Sequence, residues 1–233
     1  MAHARGHSIE DYLEAIYFLV SPIGEYQPAE GSAANAARVA DILGVSRAAV
    51  GEMLKRMGNA GLLKRDGSRE LVFTKKGVER AEQVVRNHRI IERFLTDFLG
   101  YSAGGAHEHA DALSDAFTAD MIERMNERLG FPDRCPHGWP ISPQAERAEN
   151  ARLLALSDLQ VGDRCEVMRL VEHDGELLHW YYDEGLVPGA AISIVDVQHA
   201  AGHMKVQLAG QTPTGASRVI ADKAARGLIV RRT

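Results

Sequence analysis

Only two cysteines occur in 233 residues, Cys135 and Cys165. They lie far apart and form no CxxC pair, which speaks against a disulfide framework and a zinc ribbon, so both read as unpaired thiols. Long apolar runs are missing as well. No stretch approaches the roughly 20 residues needed to cross a bilayer, and the opening MAHARGHSIED has no apolar core of the kind a secretory signal carries. A cytoplasmic chain with no membrane partner is expected. The signatures of catalysis are absent too: there is no HExxH, no Gly-rich phosphate loop and no nucleophile elbow. A metal-dependent hydrolase, the enzymatic rival, is therefore disfavoured, and neither enzyme activity nor a small organic substrate is expected.

What is present is an ordinary globular composition, 45% hydrophobic and 25% charged. The length favours two or three small domains over one. The net charge of −5 argues against a nucleic-acid coat, but charge is unevenly distributed. From Arg47 to Lys76 the basic residues Arg47, Lys55, Arg56, Lys64, Arg65, Arg69, Lys75 and Lys76 face only Glu52, Asp66 and Glu70. A basic patch on an acidic chain is the footprint of a site-specific nucleic-acid binder.

Within that patch the pattern is helix, tight turn, helix and basic hairpin. Ala36, Val39, Ala40 and Leu43 are spaced on one helical face, and Gly44 ends the run. Ser46 caps a second helix whose Val50, Met53, Leu54 and Met57 point inward. Gly61 closes it. Leu62 to Arg65 and Glu70 to Thr74 then make two short strands about the turn Asp66-Gly67-Ser68. This is a winged helix-turn-helix, and it predicts DNA binding. Ser46 and Arg47 sit where such a helix meets bases and phosphates; Ala48 and Ala49 offer methyl contacts. Glu52 either reads a cytosine amino group or pairs with Arg56, while Lys55 and Arg56 position the backbone.

Around this core, Ser8 caps an amphipathic helix over 9–19, and residues 21–33 form a loop. A long helix is predicted from Lys75 to Leu99, closed by Gly100, and a second from about His107 to Leu129. Phe131 to Pro143 contains four prolines and reads as a linker or extended arm. From Leu156 short alternating runs at 164–170, 191–197, 204–208 and 227–230 suggest a small antiparallel barrel, with a helix at 176–184 and a short turn at 217–226.

The helices carry ligand-type residues at helical spacing. His88 and Glu92 are four apart, as are His107, Asp111 and Asp115, while Asp11 and Glu14 are three apart on the first helix. Any one pair alone usually marks a solvated face. Pairs recurring on helices that must bundle behind a DNA-reading unit suggest convergence on a metal. Imidazole and carboxylate donors without thiolate suit manganese or ferrous iron.

The phrases NHRIIERFLTDFLGY at 87–101, LGFPDRCPHGWPI at 129–141 and IEDYLEAIY at 9–17 resemble the diphtheria-toxin-repressor and manganese-transport-regulator family of metal-dependent transcriptional repressors. The likeness covers about the first 141 residues and extends more weakly over the last 75. It implies a mainly α N-terminal winged helix-turn-helix, a helical dimerisation domain and a small all-β SH3-like, FeoA-like C-terminal barrel. The corresponding limits are 1–76, 77–143 with its Pro-rich arm, and 157–233.

The resemblance also implies a homodimer on a palindromic double-stranded operator, switched by a divalent metal that bridges the first helix to the dimerisation helices. Manganese is favoured and iron is the alternative. His88, Glu92 and His107 fall on the ligand positions of one family site, and Glu172 stands where the C-terminal domain supplies an arm to it. Asp11, where iron-responsive members tend to carry methionine, and Glu14 resemble the manganese-responsive branch. Asp111 occupies a position usually held by Cys or Glu. Ser114-Asp115 replaces the common Glu-His pair, which weakens or reshapes the primary site and keeps a metal-independent regulator as the rival. Glu108 and His109 are possible replacements for the lost groups. His173, His179, His199 and His203 read as surface or structural residues, and the C-terminal barrel either contacts the proline-bearing arm or merely tunes stability.

Overall fold

The computed structural model describes residues 7–20, 36–65, 71–114, 116–170, 175–209 and 217–233. The loop predicted at 21–33 and the turn at Asp66-Gly67-Ser68 lie outside them. The chain divides into two compact units, the first ending at His88 and the second beginning at Arg89.

In the first unit, α1 (Ile9–Val20) is opened by a reciprocal cap. The Asp11 N–H donates to Ser8 Oγ and the Ser8 N–H donates to Asp11 Oδ2. Helices α2 (Ala36–Leu43) and α3 (Arg47–Asn59) are joined through Gly44, whose φ of 62° is the left-handed conformation that glycine adopts without penalty. The Ala49 N–H donates to Ser46 Oγ, which fixes the start of α3. Strands β1 (Leu63–Arg65) and β2 (Leu71–Phe73) pair antiparallel as the wing. Leu13, Ile16, Val39, Val50, Leu54, Met57 and Ala81 close one core between the helices and the wing.

Helix α4 (Lys75–Asp97) runs continuously through the division. In the second unit it is followed by α5 (Ala103–Leu113) and α6 (Ala119–Arg128), where the sequence suggested a single helix from about His107 to Leu129. The apolar spacing continues across both, but two caps override it. Ser102 accepts from the Gly105 N–H and Thr118 from the Met121 N–H, so each starts a helix of its own. Residues 144–150, which look merely polar in sequence, form α7 (Pro143–Asn150), with Ser142 as cap and a proline in the first turn.

The rest of the unit is a six-stranded antiparallel sheet in the order β3-β8-β4-β5-β6-β7. Its strands are β3 (Leu154–Ala155), β4 (Arg164–Leu170), β5 (Ala191–Gln198), β6 (His203–Leu208), β7 (Ser217–Ala221) and β8 (Leu228–Arg232). Helix α8 (Gly175–Asp183) precedes β5 and α9 (Asp222–Gly227) precedes β8. The short turn expected at 217–226 is instead a strand and a helix. Alternation is weak there because only Ile220 of β7 is buried, whereas β7 is held by its full register with β6. Val167, Leu170, Leu178, Tyr181, Ile194, Val206, Ile220 and Val230 share one core.

The proline-bearing segment at 131–143 is not a loose linker. Arg134 and Pro140 form an isolated antiparallel bridge, and Cys135, His137, Trp139 and Ile141 are buried. It lies along β4: the Leu170 N–H donates to His137 O, and Trp139 Nε1–H donates to Leu170 O at 2.7 Å. Gly138 permits this approach, since a Cβ there would lie 2.0 Å from the Met168 carbonyl oxygen and the backbone has φ 88°.

Candidate metal centre and nucleic-acid interface

On α3 the side chains divide as a groove-reading helix requires. Val50, Met53, Leu54 and Met57 are buried, while Ser46, Arg47, Ala48, Ala49, Gly51, Glu52, Lys55 and Arg56 are exposed. Small side chains at 48, 49 and 51 keep the surface of its N-terminal half low, so the backbone can approach a groove closely. The wing is tied down by Thr74, whose hydroxyl donates to Gly61 O, and Lys76 donates to Ala60 O at the end of α3.

Ligand-type residues occur in both units. In the first unit Glu14 Oε1 and His88 Nδ1 are 3.4 Å apart, with His88 almost wholly buried at 1% exposure. Asp11 is not in that pair. Its carboxylate accepts the Ser8 N–H and lies 3.2 Å from His7 Nδ1, which is a capping role.

In the second unit the convergence is tighter. Glu92 comes from α4, His107 from α5, and Cys135 and His137 from the arm. His107 Nδ1 lies 2.9 Å from Glu92 Oε1, and His137 Nδ1 lies 3.3 Å from the same oxygen. Cys135 Sγ stands 3.8 Å from His137 Nδ1, and donor atoms of Glu92, Cys135 and His137 all fall within 4.8 Å of one another. All four residues are buried. The other nitrogen of His137 lies 3.1 Å from Ala103 O, which orients the ring as second-shell carbonyls orient metal-binding imidazoles. A carboxylate buried among imidazoles and a thiol is costly unless protons or a cation neutralise the charge. Glu92, Cys135 and His137 offer one carboxylate, one sulfur and one nitrogen close enough together for a divalent transition metal, and His107 stands beside them against Glu92.

Sequence reasoning missed Cys135 and His137. The signal was the C-x-H spacing inside RCPHGWPI, hidden because neither helical periodicity nor a CxxC pair marks it. A thiol thereby joins the candidate donors beside the helix positions.

Asp111 is exposed on α5, one turn beyond His107. Ser114 caps the end of α5, with its hydroxyl donating to Ala110 O at 2.7 Å. Asp115, Glu172 and His173 lie outside the described residues. His109 packs against Tyr101 with ring centroids 4.7 Å apart, so it is engaged in an aromatic contact. His179 rests its ring on Gly104, and His199 is exposed. Cys165, on β4, is buried in the C-terminal core; burial, helped by Asp163, pushes its thiol up to about 11, so it stays protonated at neutral pH. No helix among the described residues is long and apolar enough to cross a membrane.

Three family models match in succession. They are the N-terminal DNA-binding domain of iron-dependent repressors over residues 6–71, the metal-binding and dimerisation domain of iron-dependent repressors over 74–143, and the FeoA domain over 154–231. The iron-dependent repressor IdeR of Mycobacterium leprae is 33% identical over 198 residues, spanning 79% of this chain and 82% of that protein. The diphtheria toxin repressor of Corynebacterium glutamicum is 27% identical over 201 residues, covering 81% and 84%. A solved manganese-dependent transcriptional repressor in complex with manganese superposes with a TM-score of 0.83 at 25% identity, covering 97% of this chain and 100% of the other.

A winged reading helix, a metal-binding and dimerisation domain and a β-rich C-terminal domain define a metal-dependent DNA-binding transcriptional repressor, which is not an enzyme. The chain belongs to the diphtheria toxin repressor and IdeR family of iron- and manganese-dependent repressors, with a FeoA-like C-terminal domain.

Proposed function

We propose that this repressor senses a divalent metal, Mn(II) before Fe(II), and binds a palindromic operator as a homodimer when loaded. The observation that carries the reading is the buried donor group Glu92, Cys135 and His137, with His107 against Glu92, where a cation would neutralise the carboxylate. Asp11, Glu14, His88, Glu92, His107, Asp111 and Asp115 are the proposed metal ligands, with Glu172 as an arm from the C-terminal domain. The contact of Glu14 with His88 supports the assignment of these two, and the position of His88 one turn before Glu92 on a single continuous helix supports that of His88 and Glu92. Asp11 leaves its capping contacts to bind metal, so ligation competes with the start of α1. Hard carboxylates at positions 11, 14 and 111 favour Mn(II).

A second reading, activation by Fe(II), draws on Cys135, because a thiolate donor suits iron better than manganese. The metal-independent alternative rests on Ser114 and Asp115 standing where a stronger ligand pair is usual.

The proposed limits are 1–76 for DNA reading, 77–143 for metal binding and dimerisation and 157–233 for the C-terminal domain. Phe98, Leu99, Tyr101, Met121 and Phe131, all exposed, supply the apolar surface that dimerisation buries. Ser46, Arg47, Ala48, Ala49, Glu52, Lys55 and Arg56 are the proposed DNA contacts. Metal content of the purified protein, followed by Mn(II) and anaerobic Fe(II) titration of the wild type, H88A and D111A, tests the metal reading. Tight binding lost in H88A and weakened in D111A is expected; a metal-free chain that binds neither ion contradicts it.

A further inference from the structure

Trp139 lies at the centre of an arrangement that simple core filling does not require. Its ring is clasped between two guanidiniums, Arg89 of α4 with Cζ 5.3 Å from the ring centroid and Arg169 of β4 at 4.9 Å. All three side chains are at most 2% exposed. Burying two cations costs several kcal/mol each unless they are paired, and here each is. Arg89 donates to Glu146 Oε2 at 2.6 Å and to Pro140 O at 2.7 Å. Arg169 donates to Glu149 Oε2 and Asn150 Oδ1, both at 2.8 Å. A leucine would fill the same space without charge, so what the arrangement adds is direction. Cation–π stacking, ion pairs and the Trp139 Nε1–H bond to Leu170 O each fix an orientation, which apolar packing does not.

What is oriented is the donor set. Arg89 precedes Glu92 by three residues on α4, Trp139 follows His137 by two, and the Leu170 N–H holds His137 O. On the far side, β4 ends at Leu170, and α8 begins five residues later with His179 seated on Gly104, three residues before His107. Strand β4 thus touches the arm and helix α8 touches α5, next in sequence to the donors each carries.

We propose that Trp139, with Arg89 and Arg169, is a positioning clamp through which docking of the C-terminal sheet sets the geometry of the Glu92, His107, Cys135 and His137 donors. The clamp rests on the reading of those donors as a metal centre. Because it contributes no donor atom of its own, its loss loosens metal binding without removing a ligand. The coupling is reciprocal: whatever undocks the sheet weakens the metal, and metal binding favours the docked sheet.

Co(II) titration of the full chain separates the two readings, since a bound thiolate gives a ligand-to-metal charge-transfer band. The wild type is expected to show that band and C135S to lose it. W139L weakens Co(II) binding by about 10-fold or more, in the range that supporting residues of metal ligands usually carry, and diminishes the band. W139F, which keeps an aromatic face for both guanidiniums, falls between W139L and the wild type. R169M preserves side-chain volume, behaves like W139L and stands in should W139L fail to fold. A wild-type band that folded W139L or R169M leaves unchanged in intensity and affinity overturns the clamp alone, even if the variants melt earlier. Absence of the band in the wild type overturns the thiolate-containing metal centre and the clamp together.

Discussion

Glu149 shows how single residues in this protein balance burial against partners. Burial raises its carboxyl pKa, but hydrogen bonds from Arg134 and Arg169 outweigh that and hold it below its ordinary value of 4.5. A depressed folded-state value stabilises the fold fully above about 4.5 and loses that contribution as pH falls through the folded value. The acid limb of the unfolding curve in E149Q should therefore be flatter than in the wild type, while both keep their stability order at pH 7; parallel acid limbs would refute the assignment. Gly138 gives a sharper test. G138A meets the Met168 carbonyl at 2.0 Å and a φ of 88°, and strain of this kind costs about 1–3 kcal/mol. Urea unfolding should register a loss of at least about 2 kcal/mol, and a neutral result would mean the arm does not lie along β4. Cys135 and His137 were illegible as donors in the sequence for a related reason. They converge with Glu92 and His107 only because an irregular, glycine-dependent segment folds back, and no period announces that.

At the scale of elements, regular periodicity carried the reading and caps corrected it. α1 to α4, the wing and four of the strands were legible because burial of one face imposes a 3.6 or 2.0 period on the residues themselves. The division of α5 from α6 was not, since Ser102 and Thr118 act through one hydrogen bond each while the apolar spacing runs on. Edge strand β7 was missed because it buries only Ile220 and owes its conformation to β6. Pairing with a distant strand leaves little trace in local sequence. The recognition helix makes a prediction at this scale. R47A removes a charge at the exposed N-terminal end of α3 without touching its buried face. Operator affinity should fall by about 1–3 kcal/mol if Arg47 reads a base. If it holds a phosphate, binding should weaken uniformly across sequences and the salt slope should shrink by about one. S46A, by contrast, loses the cap bond to Ala49 and should cost about 1 kcal/mol of stability. R47A binding operator as tightly as the wild type would remove α3 from the interface.

At the scale of the whole molecule, the family and its domain order were legible in the sequence because long stretches of motif survive in it. Of the proposed metal ligands, His88, Glu92 and His107 stood out by spacing, Asp115 and Glu172 lie outside the described residues, and the candidate sulfur donor Cys135 came to light only in the fold. A metal-dependent repressor links metal occupancy to DNA binding, with a coupling free energy shared by the two ligands. That linkage is measured by fluorescence anisotropy of a labelled palindromic operator at fixed salt, titrated with the full chain in Mn(II), in anaerobic Fe(II) and in chelator. Coupling of the usual size, about 1–3 kcal/mol, predicts affinity roughly 5- to 150-fold higher with metal than with chelator, and H88A loses most of that gain. Equal operator affinity with metal and with chelator would mean that metal occupancy and DNA binding are not linked.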